Sequence, residues 1–290
     1  MKRFVIGEIP FIWKGKNLKL GEMGNMSYFL SDEQTEELPF VFEETEMDIE
    51  ALKKAEIVKK TGGYELLKFD GKLFLMNHWA TQRFGYGFFV DDSDSENVQK
   101  IYVNPDAEKD YPVSAERFFS TIGLHRKLLK KNAFVLHASF IEYKGKAILF
   151  TAPSQTGKST QADLWNKYED AQIINGDRVL VRKKGDSWYA YGYPCCGSSK
   201  ICLNKKLPLC AIVVLQQGSN NTVHKATASE SIKSLTSGTE VYTWNNREIM
   251  SIISMATEIS EDIPVFKLTC RADKGAVSVL KSELKAMKIC

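Results

Sequence analysis

Two patterns of apolar and polar positions divide the 290-residue chain. Up to about residue 112, short apolar runs rich in aromatic residues alternate with turn signals, and FVIGEIPFIW near the start is an example. Asp70-Gly71 separates the runs LLKF and KLFLM, and Asp-Gly between apolar runs favours a two-residue β-hairpin. We therefore expect residues 1–112 to form a β-rich N-terminal module, with one helical piece near residues 48–60.

Residues 113–290 have the pattern of an α/β domain. A helix is expected to start after Ser114, a favourable N-cap, and to run toward Lys131. FVLHASFIEY and KAILFTA then predict two strands around a short turn at residues 144–146. LCAIVVLQQ is almost entirely apolar, which is typical of a strand buried on both faces.

Further strands and helices continue this alternation. AQIINGDRVLVRK and SWYAYGYP are strand-like, whereas QADLWNKY repeats its apolar positions every three or four residues and predicts a helix. Two more helices are predicted over residues 244–259 and 273–287, the second with Asp273 as its N-cap. The expected fold class is therefore α/β, with a mixed sheet in the second domain and a β-rich module before it.

Composition narrows the class of protein. Apolar residues make up 43% and charged residues 26% of the chain, as in ordinary soluble globular proteins. No run of about 18 apolar residues occurs, so no membrane span is expected. The start of the chain lacks the features of a signal peptide. We expect a cytoplasmic protein whose six cysteines are reduced thiols, as is the default in that compartment. The spacing of the cysteines is not that of a zinc site.

Charge is unevenly distributed, although the net charge is only +3. Residues 32–56 hold ten acidic residues against two lysines, and a basic run spans residues 125–131. Two solvated faces of opposite sign explain this pattern, and so does a basic part that faces an acidic or phosphorylated partner. No basic module with interleaved aromatic residues occurs, so nucleic acid is not an expected partner. The sequence does not decide whether the protein forms a homo-oligomer.

Residues 150–160, FTAPSQTGKST, are the strongest candidate for chemistry. They lie between a predicted strand and a predicted helix, and they match the phosphate-binding pattern G-x-x-x-x-G-K-[ST] except that Ala152 replaces the first glycine. In such a loop the helix N-terminus attracts anions. Lys158 would reach the β- and γ-phosphates of ATP, and the Ser159 hydroxyl would bind Mg²⁺. The predicted ATP-binding residues are Ser154, Gln155, Thr156, Gly157, Lys158, Ser159 and Thr160.

Ala152 is the visible departure from the pattern. Alanine is the least costly replacement for glycine where φ is negative. Pro153 biases Ala152 toward an extended conformation, which suits the exit from a strand. We therefore expect a stiff loop that still binds phosphate. The alternative is an ordinary strand-to-helix turn with a solvated lysine, because a lone G-K-[ST] also occurs by chance.

Asp177 and His137 are the other candidate site residues. Asp177 follows an apolar run only eighteen residues after Ser159, so a short helix and a return strand should bring it beside the loop. There it is a candidate magnesium ligand, catalytic base or both; otherwise it is an exposed turn acid. His137 lies on the predicted strand before the loop strand, where it either lines the γ-phosphate or is a satisfied core residue.

The segment LHASFIEYKGKAILFTAPSQTGKSTQADLW, followed by IINGDRVLV, resembles the core of HPr kinase/phosphorylase, a family related to the phosphoenolpyruvate carboxykinase fold. The likeness spans about residues 135–215. It implies ATP and Mg²⁺ as cofactors and a serine of a protein or peptide as acceptor. It also implies that Lys158 stabilises the transferring phosphate, that Ser159 and Asp177 bind magnesium, and that Asp177 is the catalytic base. His137 would line the site.

The chain departs from that family in three places. The family's loop is of type GxSGxGKS. The first departure is at Gly176-Asp177, where the family has two consecutive acids. Downstream, YGYPCCGSSK lacks the family's acid but offers Ser198, Ser199 and Lys200, which suit phosphate contact. The first 110 residues do not resemble that family's regulatory domain.

Three functions follow from these observations. The first is an ATP- and Mg²⁺-dependent phosphotransferase acting on a hydroxyl, with kinase and reverse phosphorolysis both open. The alternative is a nucleotide-binding module that presents a peptide or protein partner without transferring phosphate, which Gly176 supports. A carboxykinase is disfavoured because its second acidic and histidine set is missing. In either of the first two cases residues 1–112 are a candidate acceptor-binding module and residues 113–290 the P-loop domain.

Overall fold

The computed structural model describes residues 1–15, 24–33, 35–46, 54–61, 64–77, 88–91, 98–103, 115–242 and 245–289. The chain divides into two compact units, Met1–Lys127 and Leu128–Cys290. The sequence placed a boundary at residue 112, and the division between the compact units comes later, after the first helical residues. The roles expected for the two parts stay predictions.

The described residues of the first unit form one eight-stranded sheet with the order β1-β2-β3-β8-β7-β6-β5-β4. Its strands are β1 (Lys2–Ile6), β2 (Ile9–Lys14), β3 (Phe40–Glu46), β4 (Glu56–Lys60), β5 (Tyr64–Phe69), β6 (Lys72–Asn77), β7 (Phe88–Asp91) and β8 (Val98–Val103). A 3₁₀ helix covers Gly24–Phe29. β3 is parallel to both β2 and β8, and the other neighbours are antiparallel.

Local sequence signals in this unit had two different outcomes. The hairpin at Asp70-Gly71 is confirmed, because β5 and β6 pair antiparallel and both turn residues have positive φ. The helical piece expected near residues 48–60 is wrong over its last five residues. Glu56–Lys60 is a strand that pairs with β5, and the rest of the piece up to residue 53 lies outside the described residues. Ile57 and Val58 are β-branched and fit this extended pairing.

The helix expected from Ser114 toward Lys131 is two helices, α1 (Ala115–Ile122) and α2 (Leu124–Leu129). Gly123 separates them with a φ of 62°, a left-handed conformation that interrupts a helix and that glycine adopts without a steric penalty. Ser114 lies outside the described residues.

The second unit is a sheet with helices on both faces. Its strands are β9 (Ala133–Tyr143), β10 (Lys146–Thr151), β11 (Gln172–Asn175), β12 (Arg178–Lys184), β13 (Ser187–Tyr191), β14 (Lys206–Gln217), β15 (Thr222–Lys225) and β16 (Val265–Cys270). Its remaining helices are α3 (Lys158–Glu169), α4 (Ala228–Ser237), α5 (Asn246–Asp262) and α6 (Lys274–Ala286). These bounds confirm the strands and helices expected after residue 133, including the Asp273 N-cap of α6.

The order of this sheet brings three segments to one edge. It runs β10-β9-β12-β13-β14-β16-β15 within the described residues, while β11 pairs with β9 and β10 also pairs with β14. β10, β14 and β16 are parallel, so their carboxyl ends lie at the same edge. β9 runs antiparallel to both β10 and β12. The middle of β9 and the start of β12 therefore lie beside the end of β10.

Alternating side chains of β10 enter two separate cores. Ala147 and Leu149 pack with residues of α4 and α5, whereas Ile148 and Phe150 pack with residues of α3 and α6. This period of two is that of a strand covered on both faces. The fold class is thus a mixed α/β protein. In the described parts of the chain, none of the helices has the length and apolar character needed for a membrane crossing.

Candidate functional site

The segment 152–157 connects the end of β10 to the start of α3. Gly157 caps the helix with a φ of 111°, and a side chain in that backbone conformation would be strained. The first backbone N–H groups of a helix have no partner within the helix, and the helix dipole favours negative charge at that end. The strand, loop and helix predicted from the sequence are therefore present in the order that an anion site requires.

Ala152 and Gln155 stand where the GxSGxGKS pattern has glycine, and their backbone conformations differ. Ala152 does not have a positive φ, as expected from Pro153 after it. Gln155 has a φ of 64°, in the left-handed region that costs a residue with a side chain about 1–2 kcal/mol. The strained departure is thus Gln155, which the sequence did not single out. Position 155 corresponds to the second glycine of the GxSGxGKS pattern. Comparison with that pattern could have indicated a left-handed conformation at this position.

The strain at Gln155 predicts a stabilising substitution. Gln155→Gly should raise the free energy of unfolding by roughly 0.5–1 kcal/mol, because relief of the left-handed conformation outweighs the larger entropy of glycine in the unfolded chain. Urea denaturation measures the change. Thr156→Gly is the matched control, since Thr156 has no positive φ and should lose stability. Equal losses for both variants would contradict the strain.

Lys158 is folded back onto the loop. Its Nζ donates hydrogen bonds to the backbone carbonyls of Ala152, at 3.0 Å, and Pro153, at 3.2 Å. The side chain is buried, and this desolvation lowers the pKa of Lys158, although the Asp177 carboxylate acts in the opposite direction. The amine is therefore held within the loop, at the helix end where an anion would bind.

A tight turn brings Asp177 to His137. Arg178 at the start of β12 pairs with His137 on β9. The Asn175 side chain holds the turn, since its Oδ1 accepts hydrogen bonds from the backbone N–H groups of Asp177, at 2.9 Å, and Arg178, at 3.0 Å. Its Nδ2 donates to the Tyr193 carbonyl at 2.8 Å. Asn175 is completely buried, so the turn has little freedom to move.

The Asp177 carboxylate lies between an imidazole and a guanidinium. His137 Nε2 is 3.1 Å from Asp177 Oδ1, and Arg178 Nε is 3.4 Å from Oδ2. Arg178 also forms an ion pair with Glu240. Burial alone raises the pKa of Asp177, but the hydrogen bond from His137 and the charges of Arg178 and Lys158 outweigh it, so the pKa lies below its ordinary value of 3.8. Asp177 is therefore ionised at neutral pH.

Ser159 lies against the same turn. Its Oγ donates to the Gly176 carbonyl at 3.4 Å, and Ser139 Oγ donates to the same oxygen at 3.0 Å. Gly176 has no space for a side chain, because a Cβ there would collide with the side chain of Ser199. An acid at position 176 would require the segment around Ser199 to move.

The segment after β13 covers Asp177 closely. Gly197 has a φ of 55°, and a Cβ there would lie 2.9 Å from Asp177 Cγ. The sequence offered Ser198, Ser199 and Lys200 for phosphate contact. Ser199 Oγ instead donates to the Cys196 carbonyl at 2.7 Å and accepts a hydrogen bond from the Ile201 N–H. Ser198 and Lys200 are exposed.

Two cavities flank the loop. The larger cavity, of about 500 Å³, is lined by His137, Ala152, Pro153, Lys267 and residues of α4 that include Lys233. The smaller cavity, of about 350 Å³, is lined by the loop from Gln155 to Gly157, the first turn of α3 and the residues that follow β14 and β16. Because α3 and α4 pack in different cores, the cavities open on different faces of the sheet.

The cysteines expected to be free thiols can be located for five of the six. Cys195, Cys196, Cys202, Cys210 and Cys270 are thiols that form no disulfide, and Cys290 lies outside the described residues. Burial raises the pKa of Cys202 to about 12. Among the residues that the structure describes, no three His, Cys, Asp or Glu side chains are grouped closely enough to hold a metal ion by themselves.

Fold and site together define a mixed α/β protein in which a strand–loop–helix segment lies beside a histidine–aspartate pair. The chain belongs to the family described as SynChlorMet cassette protein ScmC, whose family model matches residues 113–276. No curated protein matches the chain significantly.

Among solved structures, the HPr(Ser) kinase/phosphatase from Coxiella burnetii is similar to 53% of this chain and 92% of its own, at 10% sequence identity and a TM-score of 0.33. ATP binding, magnesium binding and phosphate transfer stay predictions.

Proposed function

We propose that the protein is an ATP- and Mg²⁺-dependent phosphotransferase that phosphorylates a serine hydroxyl of a protein or peptide. One observation carries the proposal: an ionised carboxylate, Asp177, is bound to His137 beside the first turn of α3, which holds Lys158 and Ser159. Phosphoryl transfer relies mainly on positioning and on charge stabilisation, with one residue orienting the nucleophile. At this edge of the sheet, Lys158 can stabilise charge and Asp177 can orient the nucleophile.

Each residue has a role that follows from its position. The backbone N–H groups of the loop and of the first turn of α3 bind the phosphates, and Lys158 leaves its contacts with the loop carbonyls to neutralise charge on the transferring group. The acceptor serine Oγ attacks the γ-phosphorus, the bond from that phosphorus to the bridging oxygen breaks, and ADP leaves. The serine proton passes to Asp177, while His137 and Arg178 keep its carboxylate oriented.

Magnesium fits the oxygen groups of this site. Mg²⁺ prefers oxygen ligands and is usually bound through one or two carboxylates together with substrate phosphates. The Ser159 hydroxyl contacts the carbonyl of Gly176, so it lies against the turn that carries Asp177. Ser159 and Asp177 would hold the ion, which would neutralise phosphate charge.

The larger cavity fits the acceptor. It contains His137, so an acceptor in this cavity lies beside the residue that is hydrogen-bonded to Asp177. Its volume of about 500 Å³ lies within the range of about 300–1,000 Å³ that is usual for ligand pockets. Its apolar wall and the side chains of Lys233 and Glu230 suit a short peptide segment better than a small acid.

The test is transfer from ATP to a library of serine-containing peptides in the presence of Mg²⁺, read by mass spectrometry as added phosphate and by ADP release. Wild-type protein should label a subset of the peptides, and the double variant Lys158→Ala/Asp177→Asn should label none. Incubating the labelled peptides with inorganic phosphate tests phosphorolysis, in which phosphate attacks the phosphoryl group, the serine hydroxyl leaves and pyrophosphate is released. The proposal fails if wild type and double variant give equal labelling.

A second candidate function is favoured by Gly176. With no room for a second acid beside Asp177, the site has one carboxylate where two are found in the family it resembles. A nucleotide-binding module that presents a peptide or protein partner needs only the loop. Tight ATP binding by calorimetry, without labelling of any peptide, would favour this function over transfer.

A further inference from the structure

The smaller cavity has no role in the steps described so far. It lies beside the anion site, because Gly157 and Thr160 from the loop and the first turn of α3 form one wall. Gln217 at the end of β14 and Arg271 after β16 also line the cavity. Its volume of about 350 Å³ is that of a small-molecule pocket, for which about 300–1,000 Å³ is usual.

Gln161 indicates that this cavity takes a polar ligand. The residue is only 2% exposed, yet its Oε1 has no hydrogen-bond partner among the described residues. Its Nε2 donates to Cys270 Sγ at 3.3 Å, a weak acceptor. An unsatisfied buried amide oxygen is unfavourable and uncommon. A hydroxyl donor that enters the cavity can satisfy it after a small rotation of the amide.

Arg271 supplies a flat cationic surface at the same cavity. Its Nε lies 2.9 Å from Asp273 Oδ2, and its backbone N–H donates to Asn221 Oδ1 at 2.8 Å. Asp273 is itself fixed as the N-cap of α6. The guanidinium is therefore held in place although the side chain is 61% exposed. Guanidinium planes stack on aromatic rings and nucleobases.

The position of the histidine–aspartate pair determines which end of a nucleotide points to which cavity. His137 lines the larger cavity and is absent from the lining of the smaller one. The transferring phosphate must lie beside Asp177, so the γ-phosphate points toward the larger cavity. The other end of the nucleotide then passes over Thr160 on the first turn of α3 and reaches the smaller cavity.

We propose that the smaller cavity binds the nucleoside of the phosphate donor, with Arg271 stacking on the base and Gln161 accepting a hydrogen bond from a ribose hydroxyl. This inference rests on the proposed function for the identity of the ligand. It adds that the chain recognises a nucleoside triphosphate through its nucleoside as well as through its phosphates. It also makes Arg271 and Gln161 determinants of specificity that lie away from the reacting atoms.

Calorimetric titration with ATP and with inorganic tripolyphosphate, each with Mg²⁺, tests the inference. Wild type should bind ATP more tightly than tripolyphosphate, which has no nucleoside. Arg271→Ala should weaken ATP binding about tenfold, as loss of a base-stacking contact does, and leave tripolyphosphate binding unchanged. Gln161→Met should weaken ATP selectively as well. Lys285→Ala removes an exposed positive charge from α6, outside the lining of the cavity, and should change neither affinity.

The outcomes separate this inference from the proposed function. Equal affinities of wild type for ATP and tripolyphosphate would overturn the nucleoside pocket, as would an equal effect of Arg271→Ala on both ligands or no effect on either. In each of these cases phosphate transfer to serine peptides would still test the proposed function on its own. Binding of ATP with the expected selectivity but without any peptide labelling would leave the pocket in place and contradict the transfer.

Discussion

Asp177→Asn is expected to lower the rate of phosphate transfer by about 10²–10⁴-fold, the usual contribution of a positioned general base. The substitution keeps the size of the side chain and leaves an oxygen that can accept the hydrogen bond from His137, but it removes the charge and the proton acceptor. The affinity for ATP should fall much less than the rate. Steady-state kinetics with a labelled peptide, together with calorimetry for ATP, separates these two effects.

The pH dependence of the wild-type rate provides a check on the same residue. The pKa of Asp177 is held below 3.8 by His137, Arg178 and Lys158, so the carboxylate remains ionised as the pH falls toward that value. Protonation of Asp177 should therefore lower the rate only at a more acidic pH than it would for an aspartate with an ordinary pKa. Asp163→Asn, an exposed carboxylate on α3, is the matched control. Equal rates for Asp177→Asn and Asp163→Asn would contradict the role of Asp177.

Lys158→Ala is expected to lower the transfer rate by about 10²–10³-fold, the usual cost of losing one group that stabilises charge in the transition state. Unlike Asp177→Asn, it should weaken the binding of ATP and of tripolyphosphate alike, because the amine contacts phosphates in both ligands. Titration of both ligands and the transfer assay measure the effect.

Lys167→Ala tests whether any loss is specific to the loop lysine. Lys167 is an exposed residue in the last turn of α3, so its loss removes the same charge from the same helix. Thermal unfolding should show that both variants fold. A Lys158→Ala variant that binds tripolyphosphate as tightly as Lys167→Ala does would contradict the phosphate contact.

Local patterns in the sequence were reliable wherever short-range interactions decide the structure. The Asp70-Gly71 hairpin, the N-cap at Asp273 and the strand–loop–helix order around Gly157 each depend on a few neighbouring residues. The helical piece near residues 48–60 failed over Glu56–Lys60, because pairing with β5 overrides a weak helical pattern. The single helix toward Lys131 failed because the conformation of Gly123 interrupts it.

Some features of the candidate site could be predicted from the sequence, and others could not. Lys158, Ser159 and Asp177 could be chosen from motif and spacing, because the loop and its return strand are close in sequence. The strain at Gln155 could not, since φ is not visible in a sequence. Gly176 was noted as a missing acid, but the reason that no side chain fits is Ser199, which comes from a later segment.

The sequence by itself determined the α/β alternation of the second unit, the strand–loop–helix order around Gly157 and the residues that we propose perform chemistry there. Only the tertiary structure decided that His137 is hydrogen-bonded to Asp177, because that contact depends on the pairing of β9 with β12. It also decided that Gln161 and Arg271 share a cavity beside the loop, which brings together segments more than a hundred residues apart. Such contacts depend on strand order and packing, and no local pattern encodes them.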